Sequence, residues 1–202
     1  MDLQGRTVEQ LLADLASPAQ GIVDRQQLLA AGVSSQQIQD RIRRGALIPE
    51  FPGVYRVGHA APSTDAHFLA AVRAGGPDAY LCGLAAAHTE WLVKGDAPTP
   101  EVLTRTERRI KGVLPHRYRS LDPRDVTVVR AIPITTVPRT LVDIAAVLAA
   151  DALARACHEA GVRYGTTPKQ VEAVLQRRPT SPGAAKLRAV MSGDVKVVLS
   201  QL

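Results

Sequence analysis

Apolar residues in the first sixty positions recur at helical spacing and then switch to a strand-like pattern. Val8, Leu11, Leu12 and Leu15 stand at i, i+3, i+4 and i+7, which predicts a helix with one apolar face ending near Ser17-Pro18. A second helix is expected after Gly21-Ile22-Val23, with Asp24 as its N-cap and Gly32 as its stop. A third runs from Gln36 to Arg44. Ser34 or Ser35 can cap it, Ser34 and Gln37 have capping-box spacing, and Gly45 closes it. Next come two β-prone runs, Leu47-Ile48 and Val54 to Val57, joined at Pro52-Gly53, which read as a hairpin.

Ile38 and Ile42 lie one turn apart on the third helix and must face inward. That sends Gln36, Gln39, Asp40 and Arg43 outward, with Arg44 at the flank and Ser35 at the start. Two helices separated by a tight turn and followed by a hairpin have the order of a winged helix-turn-helix, whose second helix enters the DNA major groove. Gln pairs with adenine edges, and Arg pairs with guanine edges and phosphates. Arg56 on the hairpin is either a phosphate contact or a cross-strand surface charge. The plain alternative is a DNA-free α+β unit that uses Gln and Arg only for solubility.

Beyond residue 60 the pattern becomes mixed. Helices are expected at Asp65–Ala74 and Ala79–Trp91, and strands at Glu101–Thr104, Val113–Arg119, Val126–Arg130 and Ile132–Thr135. The remainder reads as helical at Leu141–Leu148, Asp151–Ala160, Pro168–Leu175 and Ala184–Met191. The expected fold class is α+β. A winged helix-turn-helix domain spans residues 1–59, and a mixed α/β domain with a helical C-terminal part spans residues 60–202.

Composition narrows the function classes. The 202 residues are 46% hydrophobic, 22% charged and 3% aromatic, which excludes wholesale disorder. The most apolar stretch, from Leu141 to Ala156, is interrupted by Asp143, Asp151 and Arg155, too often for a membrane span. Cys82 and Cys157 form no C-x-x-C pair and read as small buried residues, and the first residues carry no export pattern, so a cytoplasmic location is expected. The net charge of +6 is uneven. Residues 1–60 hold six basic and six acidic residues, residues 61–130 ten against eight, and residues 131–202 nine against five. The surplus therefore lies outside the proposed DNA-binding domain. Its densest cluster is Arg105, Arg108, Arg109, Lys111, Arg117 and Arg119, with His116, set around a turn at Gly112. It is either a solvated hairpin or a patch for phosphate or an acidic partner.

Catalytic signatures are sparse, and neither a cofactor nor a metal is expected. His88-Thr89-Glu90 has the H-x-E of zinc deaminases without the P-C-x-x-C ligands. Cys157 and His158 are neighbours on a helix and point apart. Asp194-Val195-Lys196 has the acid-x-Lys spacing of a divalent-metal nuclease motif, with only six residues after it.

Three segments together resemble a known family. They are GIVDRQQLLAAGVSSQQIQDRIRRGALIPEFPGVYRVGH (Gly21 to His59), AYLCGLAAAHTEW and IPITTVPRTLVDIA (Ile132 to Ala145). They are similar to the type IV abortive-infection antitoxins of the AbiEi family, as found in actinobacteria, with their GVY hairpin and P-x-T-T-x-x-R-T-L-x-D signature. The resemblance implies a non-enzymatic repressor that binds inverted repeats in its own promoter and neutralises a nucleotidyltransferase-like toxin. Ser35, Gln36, Gln39, Asp40, Arg43, Arg44 and Arg56 would be its DNA contacts. Longer relatives continue into a Vsr-like endonuclease domain where this chain stops. A stand-alone regulator, or the remnant of such a nuclease fusion, are therefore the alternatives. In the signature, Pro138 suits the first turn of a helix, Thr135 or Thr136 can bond its free N–H groups, and Arg139 can pair with Asp143 at i, i+4.

Overall fold

The computed structural model describes residues 7–58 and 63–193. The expected division at residue 59 falls beside residues 59–62, which are outside the described residues, as are Asp194, Val195 and Lys196. The fold is α+β, with helices and a small sheet first, a larger mixed sheet next and helices last.

Helix α1 (Val8–Ala16) is opened by a capping box between Thr7 and Gln10. Strand β1 (Ile22–Asp24) follows, where the sequence pattern indicated only a lead-in to the next helix. Asp24 then caps α2 (Arg25–Ala30), and Ser34 caps α3 (Ser35–Arg43), each through a full capping box. Strands β2 (Leu47–Phe51) and β3 (Val54–Val57) form the expected hairpin, and β1 pairs antiparallel with β3 to give the order β1-β3-β2. Leu12, Val23, Leu28, Ile38, Leu47 and Tyr55 pack this winged unit from within.

Helix α4 (Thr64–Gly75), capped by Ser63, confirms the helix expected at Asp65–Ala74. The helix expected over Ala79–Trp91 is shorter. It splits into strand β4 (Tyr80–Leu81) and helix α5 (Gly83–Thr89). Gly83 has a φ of +58°, a left-handed conformation that separates strand from helix and that L side chains rarely adopt. Strand β4 sits at the centre of a five-stranded sheet with β5 (Glu101–Thr104), β6 (Leu114–Arg117), β7 (Val126–Val129) and β8 (Ile132–Thr135), in the order β6-β5-β4-β8-β7. The pairs β4–β8 and β5–β6 are parallel, and β4–β5 and β7–β8 are antiparallel. Four helices complete the chain: α6 (Val137–Ile144), α7 (Ala150–Tyr164), α8 (Pro168–Arg177) and α9 (Ala184–Ser192). They share a core around Leu141, Ile144, Leu153, Val174 and Leu187.

The winged unit and the large sheet share apolar packing. Ile22, Phe51 and Val54 belong to one core with Phe68, Leu69 and Val72 of α4 and Leu81, Val102 and Ile134 of the sheet. Arg73 of α4 reaches back and donates to the Ile22 carbonyl at 2.9 Å and to Gln27. The two halves are thereby joined by a common interior.

Arg139 pairs with Asp143 at i, i+4 as expected, and it is buried and reaches a second carboxylate as well. It is 2% exposed, donates from Nε to Asp143 at 3.0 Å, and from Nη1 to Asp125 at 3.3 Å. Asp125 is equally buried and also accepts from Arg177, which pairs with Asp122 beside Arg124. Neither threonine caps α6 as expected. Thr136 makes no side-chain cap bond, and Thr135 instead pairs hydroxyl to hydroxyl with Thr140 at 2.8 Å. Removing one partner of a buried ion pair leaves an uncompensated charge. Arg139→Ala is expected to lower unfolding free energy by about 3–5 kcal/mol in urea titrations, while Arg124→Ala, at the exposed end, should change it by about 0.5 kcal/mol or less. Equal effects of the two would overturn the network's role.

Candidate nucleic-acid interface

Helix α3 is seated by its apolar side. Ile38 is fully buried and Ile42 packs against the same core. Arg41 is turned inward, donating to Glu9 of α1 at 2.7 Å and to the Gln37 carbonyl at 3.1 Å, so it fastens α3 to α1. The opposite face presents Ser35, Gln36, Gln39, Arg43 and Arg44, all exposed, with Asp40 half-buried among them.

This face is already ordered by its own hydrogen bonds. Asp40 accepts from Arg43 and from Gln36 Nε2 at 3.1 Å. The Arg43 bond is the main influence holding the Asp40 carboxyl below the ordinary carboxylate range. The helix thus displays amide and guanidinium donors from a charge-balanced base. Ser35 accepts from Arg25 Nη2 at 2.8 Å, which ties the start of α3 to the start of α2. Sequence reasoning passed over Arg25 because the residue stands ten positions away, on a different helix.

Arg56 lies on β3 and pairs with Glu50 of β2 at 2.7 Å, with only 14% of its side chain exposed. Here the structure shows the cross-strand arrangement, one of the two readings given for that residue.

The basic cluster is arranged differently from the hairpin in which it was expected. Strands β5 and β6 run parallel, with Thr104 opposite Arg117, so residues 105–113 form a crossover loop. All six basic residues are exposed. Arg105, Arg117 and Arg119 gather where both strands end, and Arg105 stands 3.9 Å from Asp78. Arg108 lies beside Gly76 and lines a groove of about 500 Å³ together with Arg25, Arg73, Pro52 and Gly53. Arg117 and Arg119 instead line a separate cleft against α6 and the α8–α9 turn. One sequence cluster is therefore two surfaces.

His88, Thr89 and Glu90 close α5. The His88 ring meets Phe68 edge-on at 6.1 Å, and Thr89 and Glu90 are buried. Among the described residues no group of three or more His, Cys, Asp or Glu is placed to hold a metal ion. No described helix is long and apolar enough to cross a membrane.

Residues 10–58 match the family described as transcriptional regulator, AbiEi antitoxin. The match covers most of α1, then β1 through β3, and stops before α4, so this winged unit is similar to the regulator segment of that family. No curated protein sequence matches the chain.

The capping box should be the local determinant of α3. Ser34→Ala is expected to cost about 1 kcal/mol of stability, and Ser35→Ala about 0.5 kcal/mol or less, both read from chemical denaturation. A larger loss for Ser35→Ala would contradict the assignment of the cap.

Proposed function

We propose that this protein is a DNA-binding transcriptional regulator that acts as the antitoxin and autorepressor of a type IV toxin–antitoxin pair. The observation that carries the DNA-binding part is the outward row of Gln36, Gln39, Arg43 and Arg44 on one capped helix, within the segment that matches the regulator family. Gln amides and Arg guanidinium groups read base edges, and a helix of this length fits the major groove. Inverted repeats upstream of its own gene are the proposed target. In the complex, Asp40 releases Arg43 to a guanine edge or a phosphate, and Ser35 sits at the groove's rim. Arg56 joins the interface by exchanging Glu50 for a phosphate.

The phosphate path extends past the winged unit. Arg25 bonds Ser35 of α3 and shares its groove with Arg108, so Arg108, with Arg109 and Lys111 next to it on the exposed loop, continues the basic surface away from the recognition helix. The proposed protein partner is a nucleotidyltransferase-fold toxin. The alternative is a stand-alone regulator without a toxin.

Two measurements separate these parts. Arg43→Ala should weaken binding to the upstream repeat by about tenfold or more in gel-shift titrations, as loss of a base or phosphate contact does. Unchanged affinity would remove α3 from the interface. Replacing Arg108 or Arg109 should lower the salt slope of DNA binding by about one unit each. A constant slope with lost toxin neutralisation would assign that loop to the toxin instead.

A further inference from the structure

The cleft that holds Arg117 and Arg119 has a chemistry the DNA interface does not use. It encloses about 510 Å³ between the β5–β6 edge, α6 and the α8–α9 turn, a size suited to a small molecule and generous for a bare ion. Four arginines line it, Arg117, Arg119, Arg139 and Arg178, against two carboxylates, Glu101 and Asp143.

Both carboxylates are engaged. Glu101 accepts from the Leu84 amide at 2.9 Å and stands 2.9 Å from His116 Nε2, and that hydrogen bond raises the His116 pKa. Asp143 is held by Arg139, whose Nη1 is committed to Asp125. The donors on the other wall are not matched. Arg178 Nε and Ser181 Oγ are both buried, and neither has a hydrogen-bond partner among the described residues. A buried donor without an acceptor costs about 1–3 kcal/mol, so two on one turn ask for an acceptor. The turn is held in place. The Ser181 amide donates to the Arg178 carbonyl at 3.1 Å, and Gly183, at a φ of +78°, lies so close to the Ala145 carbonyl that a Cβ there would collide with it. Burial, and then the charge of Arg139, lower the Arg178 pKa. Asp143 and Asp125 partly offset that repulsion, and a further anion in the cleft relieves what remains.

With Arg139 and both carboxylates engaged, Arg117, Arg119 and Arg178 leave the cleft basic, which suits an anion with several acceptor oxygens, and a phosphate ester has more of these than a carboxylate. Leu103, Val142 and Val147 give the cleft an apolar wall for the rest of a ligand. We propose that this cleft binds a phosphomonoester of nucleotide size, with Arg178, Ser181 and Arg117 on the phosphate and the apolar wall along its body. It is a small-molecule site in the second half of the chain, separate from the recognition helix.

Calorimetric titration of the full chain with inorganic phosphate and with adenosine monophosphate, at matched ionic strength, tests it. Inorganic phosphate should bind saturably at one site with millimolar affinity, and the nucleotide about tenfold more tightly. Arg178→Gln should weaken phosphate binding about tenfold and Ser181→Ala about threefold to tenfold, with DNA affinity unchanged. Ser181→Ala removes only a turn hydroxyl, so it decides the matter if Arg178→Gln does not fold. Absence of saturable phosphate binding, or equal affinity in Ser181→Ala and the parent, would overturn the proposal. So would a loss of DNA affinity in Arg178→Gln or Ser181→Ala matching the loss of phosphate affinity, because the cleft would then be a DNA-backbone contact.

Discussion

Helix α4 belongs to both halves of the molecule, and the positions of the basic surfaces depend on that sharing. Its Phe68, Leu69 and Val72 pack in one interior with Ile22, Phe51 and Val54 of the winged unit and with Leu81, Val102 and Ile134 of the large sheet. Each such side chain contributes about 1.5–3 kcal/mol on full burial, so separating the halves would expose a substantial apolar area. Arg73 adds direction, since its bond to the Ile22 carbonyl fixes β1 against α4. A common core with a directional clamp holds the winged unit at one orientation, and for that reason Arg25 and Arg108, far apart in sequence, line one groove.

A second constraint organises the far side of the sheet. Arg139 is among the largest fully buried side chains, and its partners Asp125 and Asp143 link the turn before β7, α6 and, through Arg177, α8. A buried guanidinium is tolerable only where carboxylates surround it, so the ionic chain dictates how α6 and α8 dock. Its geometry also leaves Arg178 beside Arg139 with an unmatched donor, on which the proposed anion site rests. The motif most recognisable in the sequence is, in the structure, the hub of a fold.

Local signals were legible in the chain and nonlocal ones were not. The face of α3 follows from Ile38, Ile42 and the Ser34–Gln37 box, all within nine residues, and the hairpin follows from Pro52-Gly53. Strand β1 is three residues long and owes its existence to pairing with β3, thirty residues later, so no periodicity marks it. The same holds for β4, two residues that look like the start of a helix until Gly83 turns them into the sheet. The basic cluster suggested a hairpin because Glu101–Thr104 and the segment ending at Arg119 are close in sequence. Parallel pairing of β5 with β6 placed its charges on different surfaces. The Arg139–Asp143 pair was legible from its i, i+4 spacing, but nothing local shows that Asp125, fourteen residues earlier, would bury with it.

In the function proposed, the winged unit supplies the base-reading helix, α4 sets its orientation on the sheet, and the basic loop continues the phosphate path. Amide hydrogen exchange of the full chain with and without its upstream repeat DNA tests that account most directly. The prediction is increased protection across α3, the β2–β3 hairpin and the 105–113 loop, with α7 and α9 unchanged. Protection confined to the second half of the chain, with α3 exchanging as in the free protein, would contradict it.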